Sequence, residues 1–157
     1  MRICMSLLAF LLFAPMMEAQ QYLKTEAKTL LSKGRYKDVI SIVDAMKIED
    51  TDGEAFMMRG IANYFLNDAD ASLSDLLQSY KLGERNPLIF LYSAKSYYAK
   101  ANYEDAALYY KLYLKGIPQN HKDVAYIINE IKRCAINLQM TENLSIAYVE
   151  NLGQAVN

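Results

Sequence analysis

Gly60-Ile-Ala-Asn-Tyr-Phe-Leu-Asn-Asp-Ala-Asp-Ala-Ser72 matches Ala94-Lys-Ser-Tyr-Tyr-Ala-Lys-Ala-Asn-Tyr-Glu-Asp-Ala106 position by position. A period as long as the step from Gly60 to Ala94 holds two short helices and their turns, so it points to stacked helical hairpins instead of a closed globule. The matched pairs are Gly60 with Ala94, Ala62 with Ser96, Tyr64 with Tyr98, Asp68 with Asn102, Asp70 with Glu104, Ser72 with Ala106, and Leu76 with Tyr110. Small residues recur where two helix axes must approach.

Apolar residues recur at three- and four-residue steps from 21 to 139, and no stretch there sustains period-two alternation. Helices are predicted over about 21–33, 36–48, 53–66, 69–82, 87–100, 103–115 and 120–139. Gly34, Gly83 and Gly116 stand where a left-handed helix cap is wanted. Asn86-Pro87 reads as an N-cap and a first helical proline. Asp68 and Asn102 are predicted to cap second helices, with Asp70 and Glu104 placed to favour the helix dipole. In the first pair, Leu23, Ala27 and Leu30 face Tyr36, Val39 and Val43; in the third, Phe90, Ala94 and Tyr97 face Tyr103, Ala106, Tyr110 and Leu114. The same repeat step taken from Phe90, Ala94 and Tyr97 reaches Val124, Ile128 and Ile131, with Ile127 expected on the same face. The last helix therefore reads as the opening half of a fourth unit that caps the array.

Met1-Arg2 followed by the apolar run Leu7–Ala14, Pro15 and Ala19 predicts a secretory signal peptide over 1–19, cut after Ala19. The run is too short for a membrane-spanning helix. Removal takes Arg2 and Glu18 together, so the net charge stays at −1. That balance offers no field to attract nucleic acid or acidic lipid. Cys134 alone would remain after processing, which excludes an internal disulfide and suits a buried, inert thiol. The 13 tyrosines and absence of tryptophan suit helix layers filled by phenol rings.

The run Tyr97-Tyr98-Ala99-Lys100-Ala101-Asn102-Tyr103-Glu104-Asp105-Ala106, with Tyr110, Leu114 and Pro118, resembles the tetratricopeptide (TPR) family. The second unit departs from the family pattern at Asn63 and Ala69, and the first at Val39. The resemblance implies an all-α, TPR-like helical-hairpin solenoid of three helix pairs plus a capping helix over 20–139. Its first helices would line a groove for a protein or peptide partner. The matching groove positions are Lys24, Lys28 and Leu31, then Met57, Ile61 and Tyr64, then Leu91, Lys95 and Tyr98. Tyrosine and methionine would supply adaptable apolar contact and the three lysines could meet acidic groups. Met57, Ile61 and Leu91 equally suit the core between repeats.

The end of the chain, Asn129–Ala135 and then Ser145–Asn157, resembles a junction in large Gram-negative envelope proteins, where TPR units lead into a WD-like β-propeller and an OmpA-like domain. Ile146 and Tyr148 alternate with Ala147 and Val149, so 140–157 is expected to be a short strand-like extended tail or the start of a missing propeller domain. The resemblance implies an exported interaction scaffold in an envelope complex, in the periplasm or at the periplasmic face of the outer membrane. Outer-membrane or peptidoglycan association would be indirect. The alternative is a self-contained periplasmic chaperone-like adaptor, with an enzyme accessory domain behind it. His121 stands alone with no second ligand in metal spacing, and no phosphate loop or nucleophile elbow occurs. The expectation is a non-enzymatic protein without metal or cofactor.

Overall fold

The computed structural model describes the backbone of residues 3–46 and 52–155 and the side chains of 18–46 and 52–143. Among the described residues seven helices follow in order: α1 Ile3–Ser32, α2 Tyr36–Ala45, α3 Gly53–Phe65, α4 Ala69–Lys81, α5 Leu88–Ala99, α6 Tyr103–Gly116 and α7 Val124–Ala155. They form three hairpins and a final single helix. One compact unit ends at Glu84 and carries α1 to α4; the other begins at Arg85 and carries α5 to α7.

Why the chain turns where it does is visible at the end of each first helix. Gly34, Asn67 and Ala101 all take left-handed backbone, with φ of 72°, 62° and 57°. In each case the next amide reaches back across the turn: Arg35 to the Leu30 carbonyl, Asp68 to Asn63 and Asn102 to Tyr97, all at 3.0 Å. These bonds satisfy carbonyls that the helix end leaves open. Asp68 and Asn102 then accept the amides of Ala71 and Asp105, and Asp52 does the same for Ala55 at the start of α3. Gly83 ends α4 in the expected left-handed form. Gly116 does not: it is the last residue of α6, and the chain leaves through extended Ile117. Asn86 caps α5 through a bond from the Leu88 amide at 3.0 Å.

In the first unit, Ala27 and Leu30 of α1 meet Val39 and Val43 of α2 and Ala55, Met58 and Ala62 of α3 in one buried cluster. Gly60 lets α4 come close. A Cβ there would lie 2.8 Å from Leu76 Cγ. In the second unit, Ala94 and Ala106 are fully buried beside Tyr110 and Tyr113, with Phe90, Tyr97, Tyr103 and Leu114 around them. Both expected helix-pair faces are therefore formed.

Three expectations need correction. The helix predicted from 21 already runs from Ile3 and continues through Pro15, with no further breaker before Gly34. The side chains of Met1–Met17, including Cys4 and the apolar run, lie outside the described residues. Of the strand expected over 140–157, the described residues 140–155 show none: backbone stays helical from Val124 to Ala155. No proline or glycine interrupts 124–152, and a helix satisfies its own amides where a lone strand has no mate. Lastly, Ile128 leaves the face it was expected to share with Ile127 and Ile131: Ile127 is fully buried with Cys134 and Ile131 packs against that cluster, whereas Ile128 stays 41% exposed.

Candidate functional site

In the first unit, Lys24 Nζ lies 2.6 Å from Asp52 and Lys28 Nζ 2.7 Å from Glu54, tying α1 to the start of α3. Both lysines are thus already countered by acids. Leu31 is half-buried against the core cluster, and Met57 and Ile61 are buried, so these serve packing. Tyr64 is half-buried and meets Phe65 edge-on at 5.2 Å; Phe65 in turn stacks on Tyr36 at 4.4 Å. Of the six positions expected here, Tyr64 and Lys28 keep the most usable surface.

In the second unit the arrangement is richer than the sequence suggested, because α7 adds half of it. Leu91 is buried. Tyr98 is half-buried, with its ring edge-on to Tyr103 at 5.2 Å and the Arg133 guanidinium 5.4 Å above it. Asn137 Nδ2 donates to the Tyr98 hydroxyl oxygen at 2.9 Å. Arg133 also donates to both carboxylate oxygens of Glu130, at 2.8 and 3.1 Å. Lys95 sits 5.2 Å from the centre of the Tyr92 ring. Burial pushes its ammonium below the usual lysine range, while the Asp123 and Glu130 carboxylates pull the other way. The result is a tyrosine-lined face with its charges balanced from within.

Glu130, Arg133 and Asn137 escaped the sequence reading, which treated the last helix as a cap. One signal was present. The repeat step taken from Ser96, which is fully buried, reaches Glu130, and a carboxylate in a buried register needs a partner. A second missed cluster lies between α2, α3 and α4. Arg59 grips Asp75 with two bonds of 2.9 and 2.8 Å and Asp44 with a third of 2.7 Å, while Asn63 donates to Asp75 at 3.1 Å. Its guanidinium lies 5.2 Å over the Phe56 ring. These partners hold Arg59 protonated well above its ordinary range. Such two-bonded pairing, tied to a third helix through Asp44, marks a structural lock between helices.

His121 lies in the turn before α7, where its Nδ1 accepts the Asp123 amide at 3.2 Å. Among the described residues no group of three His, Cys, Asp or Glu is placed to hold a metal ion. Cys134 is fully enclosed, and burial raises its thiol above the usual range, which suppresses the thiolate.

Comparison with known proteins places this geometry. No protein-family model matches the chain, and no curated protein does. Solved structures do. The first TPR domain of human RPAP3 superposes with a TM-score of 0.66 at 18% identity, covering 79% of this chain and 95% of its own. The first TPR of Spaghetti (RPAP3), bound to the HSP90 peptide SRMEEVD, gives 0.66 at 18% identity, over 76% and 93%. The Yersinia enterocolitica type III secretion chaperone SycD, in complex with a peptide of the translocator YopD, gives 0.66 at 13% identity, over 76% and 94%. At these identities the likeness establishes the fold: the chain is an all-α, TPR-like helical-hairpin protein.

Proposed function

We propose that this chain is a protein-interaction adaptor, holding a peptide segment of a partner against the α5–α7 face. The observation that carries the reading is the joining of Tyr92, Lys95 and Tyr98 on α5 with Arg133 and Asn137 on α7. Half-buried phenol rings on rigid helices give large contact area at little entropic cost. Two solved structures of the same fold carry bound peptides, which supports this use of the scaffold. The cations of this face are countered from within the unit: Arg133 is paired with Glu130, and Lys95 lies in the field of Asp123 and Glu130. The favoured ligand is therefore apolar and aromatic, because an acidic segment would have to displace carboxylates already in place. No catalytic role falls to any residue in this reading.

We place the protein outside the cytoplasm, in the periplasm or at the periplasmic face of the outer membrane, as a scaffold in an envelope complex for assembly, cell-wall attachment or secretion. The apolar run Leu7–Ala14 and Ala19 support export. Likeness to a secretion chaperone favours, as the second reading, a self-contained chaperone-like adaptor. Fractionation with N-terminal sequencing tests export: the expected protein is periplasmic and begins at Gln20, and a cytoplasmic protein that keeps Met1 contradicts it. Anisotropy titration with seven-residue peptides tests the face. Apolar-aromatic peptides should bind and weaken about tenfold in the Tyr92→Ala, Tyr98→Ala double variant. Preference for acidic peptides, or equal binding by the variant, overturns the proposal.

A further inference from the structure

We propose that the α6–α7 edge docks a second copy of this chain, the two copies related by a twofold axis passing beside Leu108. α7 buries Ile127, Glu130 and Cys134 on one side. Along the border of that side run Ile128, Ile131, Ala135 and Leu138, a three-four-three spacing suited to receiving another helix. By the repeat step Ile128 and Ile131 answer to Ala94 and Tyr97, the positions through which α5 receives α6. On α7 Ile131 rests partly on the core, while Ala135 is exposed and Ile128 is 41% exposed. Ile131, Ala135 and Leu138 bound a cleft of about 410 Å³ with Ala107 and the half-exposed Leu108 of α6. Contiguous exposed apolar surface of this kind marks an interaction site.

The rim charges select the occupant. Glu104 and Lys111 flank Leu108 on the cleft side of α6, seven residues apart, and neither forms a hydrogen bond or ion pair among the described residues, whereas Asp105, which also lines the cleft, accepts from the Asn102 side chain at 2.8 Å. An acid and a base symmetrically disposed about an apolar residue make a face complementary to itself. Laid antiparallel across a twofold axis, α6 sets Glu104 against Lys111 of the second copy and Lys111 against its Glu104, with the two Leu108 side chains between them. A foreign helix would need no such internal symmetry. The peptide-binding face uses the other side of α7, toward Tyr98, so the two surfaces do not compete.

Sedimentation equilibrium of the full chain tests this directly. Wild type should show a monomer–dimer equilibrium, and Leu108→Glu should weaken it by about tenfold or more, on the order of one interface anchor. Glu104→Lys and Lys111→Glu should each weaken it about fivefold by bringing like charges together, and the combined swap should return it to within about threefold of wild type. Circular dichroism checks that each variant folds; should Leu108→Glu unfold, the charge swaps carry the test. A wild-type monomer at every concentration overturns the proposal. So does self-association that ignores all three substitutions, or a combined swap that fails to restore it.

Discussion

Four positions of the α3–α4 hairpin, Phe56, Arg59, Asn63 and Asp75, recur one repeat later as Phe90, Ser93, Tyr97 and Tyr109, and the same frame is filled by different chemistry. In the first, Arg59 and Asn63 converge on Asp75. In the second, Tyr109 packs against Tyr97 at 5.1 Å and Phe90 at 6.4 Å, and the buried Ser93 hydroxyl has no hydrogen-bond partner among the described residues. An ion-pair lock depends on its buried carboxylate being present, whereas an aromatic cluster degrades gradually. The repeat thus fixes where helices cross and leaves open what fills the crossing.

The largest expected effect comes from opening the lock. Asp75→Ala removes the two-bonded partner of a mostly covered guanidinium and should cost about 3 kcal/mol. Asp44→Ala, whose carboxylate is half exposed, should cost under about 1 kcal/mol. Equal losses in chemical denaturation would refute this ranking. Next comes Gly60→Ala, which places a methyl against Leu76 Cγ and Asp75 Cβ. Overpacking should outweigh the gain in helix propensity and leave a net loss of about 1–2 kcal/mol, although alanine stands at the matching position 94. A stabilised variant would mean that the two hairpins share one spacing.

Ser79 and Tyr113 offer a second matched pair. Ser79 donates to the Gly53 carbonyl at 2.6 Å and Tyr113 to Asp123 Oδ2 at 2.9 Å, so each anchors the start of a helix packed beside its own. Tyr113→Phe should lose about 1 kcal/mol. It should also alter alkaline unfolding. Burial, aided by the bond to Asp123, pushes the phenol up to about 12. Below about pH 10 both states keep the proton and this contribution is intact. Between about 10 and 12 the unfolded chain releases it first, so stability falls with rising pH, and the phenylalanine variant should fall less steeply. Parallel curves would contradict the assignment. The smallest effect carries the opposite sign: Ser93→Ala removes an unbonded buried hydroxyl and should stabilise by about 0.5–1 kcal/mol in a thermal melt. A loss would reveal a partner for that hydroxyl.

Periodicity and punctuation made the hairpins legible. Asp68 and Asn102 cap as read, Gly34 and Gly83 turn left-handed, and Gly60, Ser72, Ala94 and Ala106 lie buried at the crossings. Ala101 was not foreseen in a left-handed turn, since only the shared register with Gly34 and Asn67 points there. Polar partnerships stayed hidden for a different reason. Arg59 finds Asp75 16 residues on, and Tyr98 finds Asn137 39 residues on, distances set by tertiary packing that no local pattern encodes. The same holds for Lys24 and Lys28, whose acidic neighbours change what the surface can recognise. At the end of the chain, alternation over 146–149 was too short to outweigh a helix already running without a breaker.

The reading of the α5–α7 face as a peptide platform is tested most directly by backbone chemical shifts during titration with an apolar-aromatic peptide. The account predicts perturbations concentrated at Tyr92, Lys95, Tyr98, Arg133 and Asn137. Shifts gathered around Arg59 and Asp75, or none at saturating peptide, would contradict it.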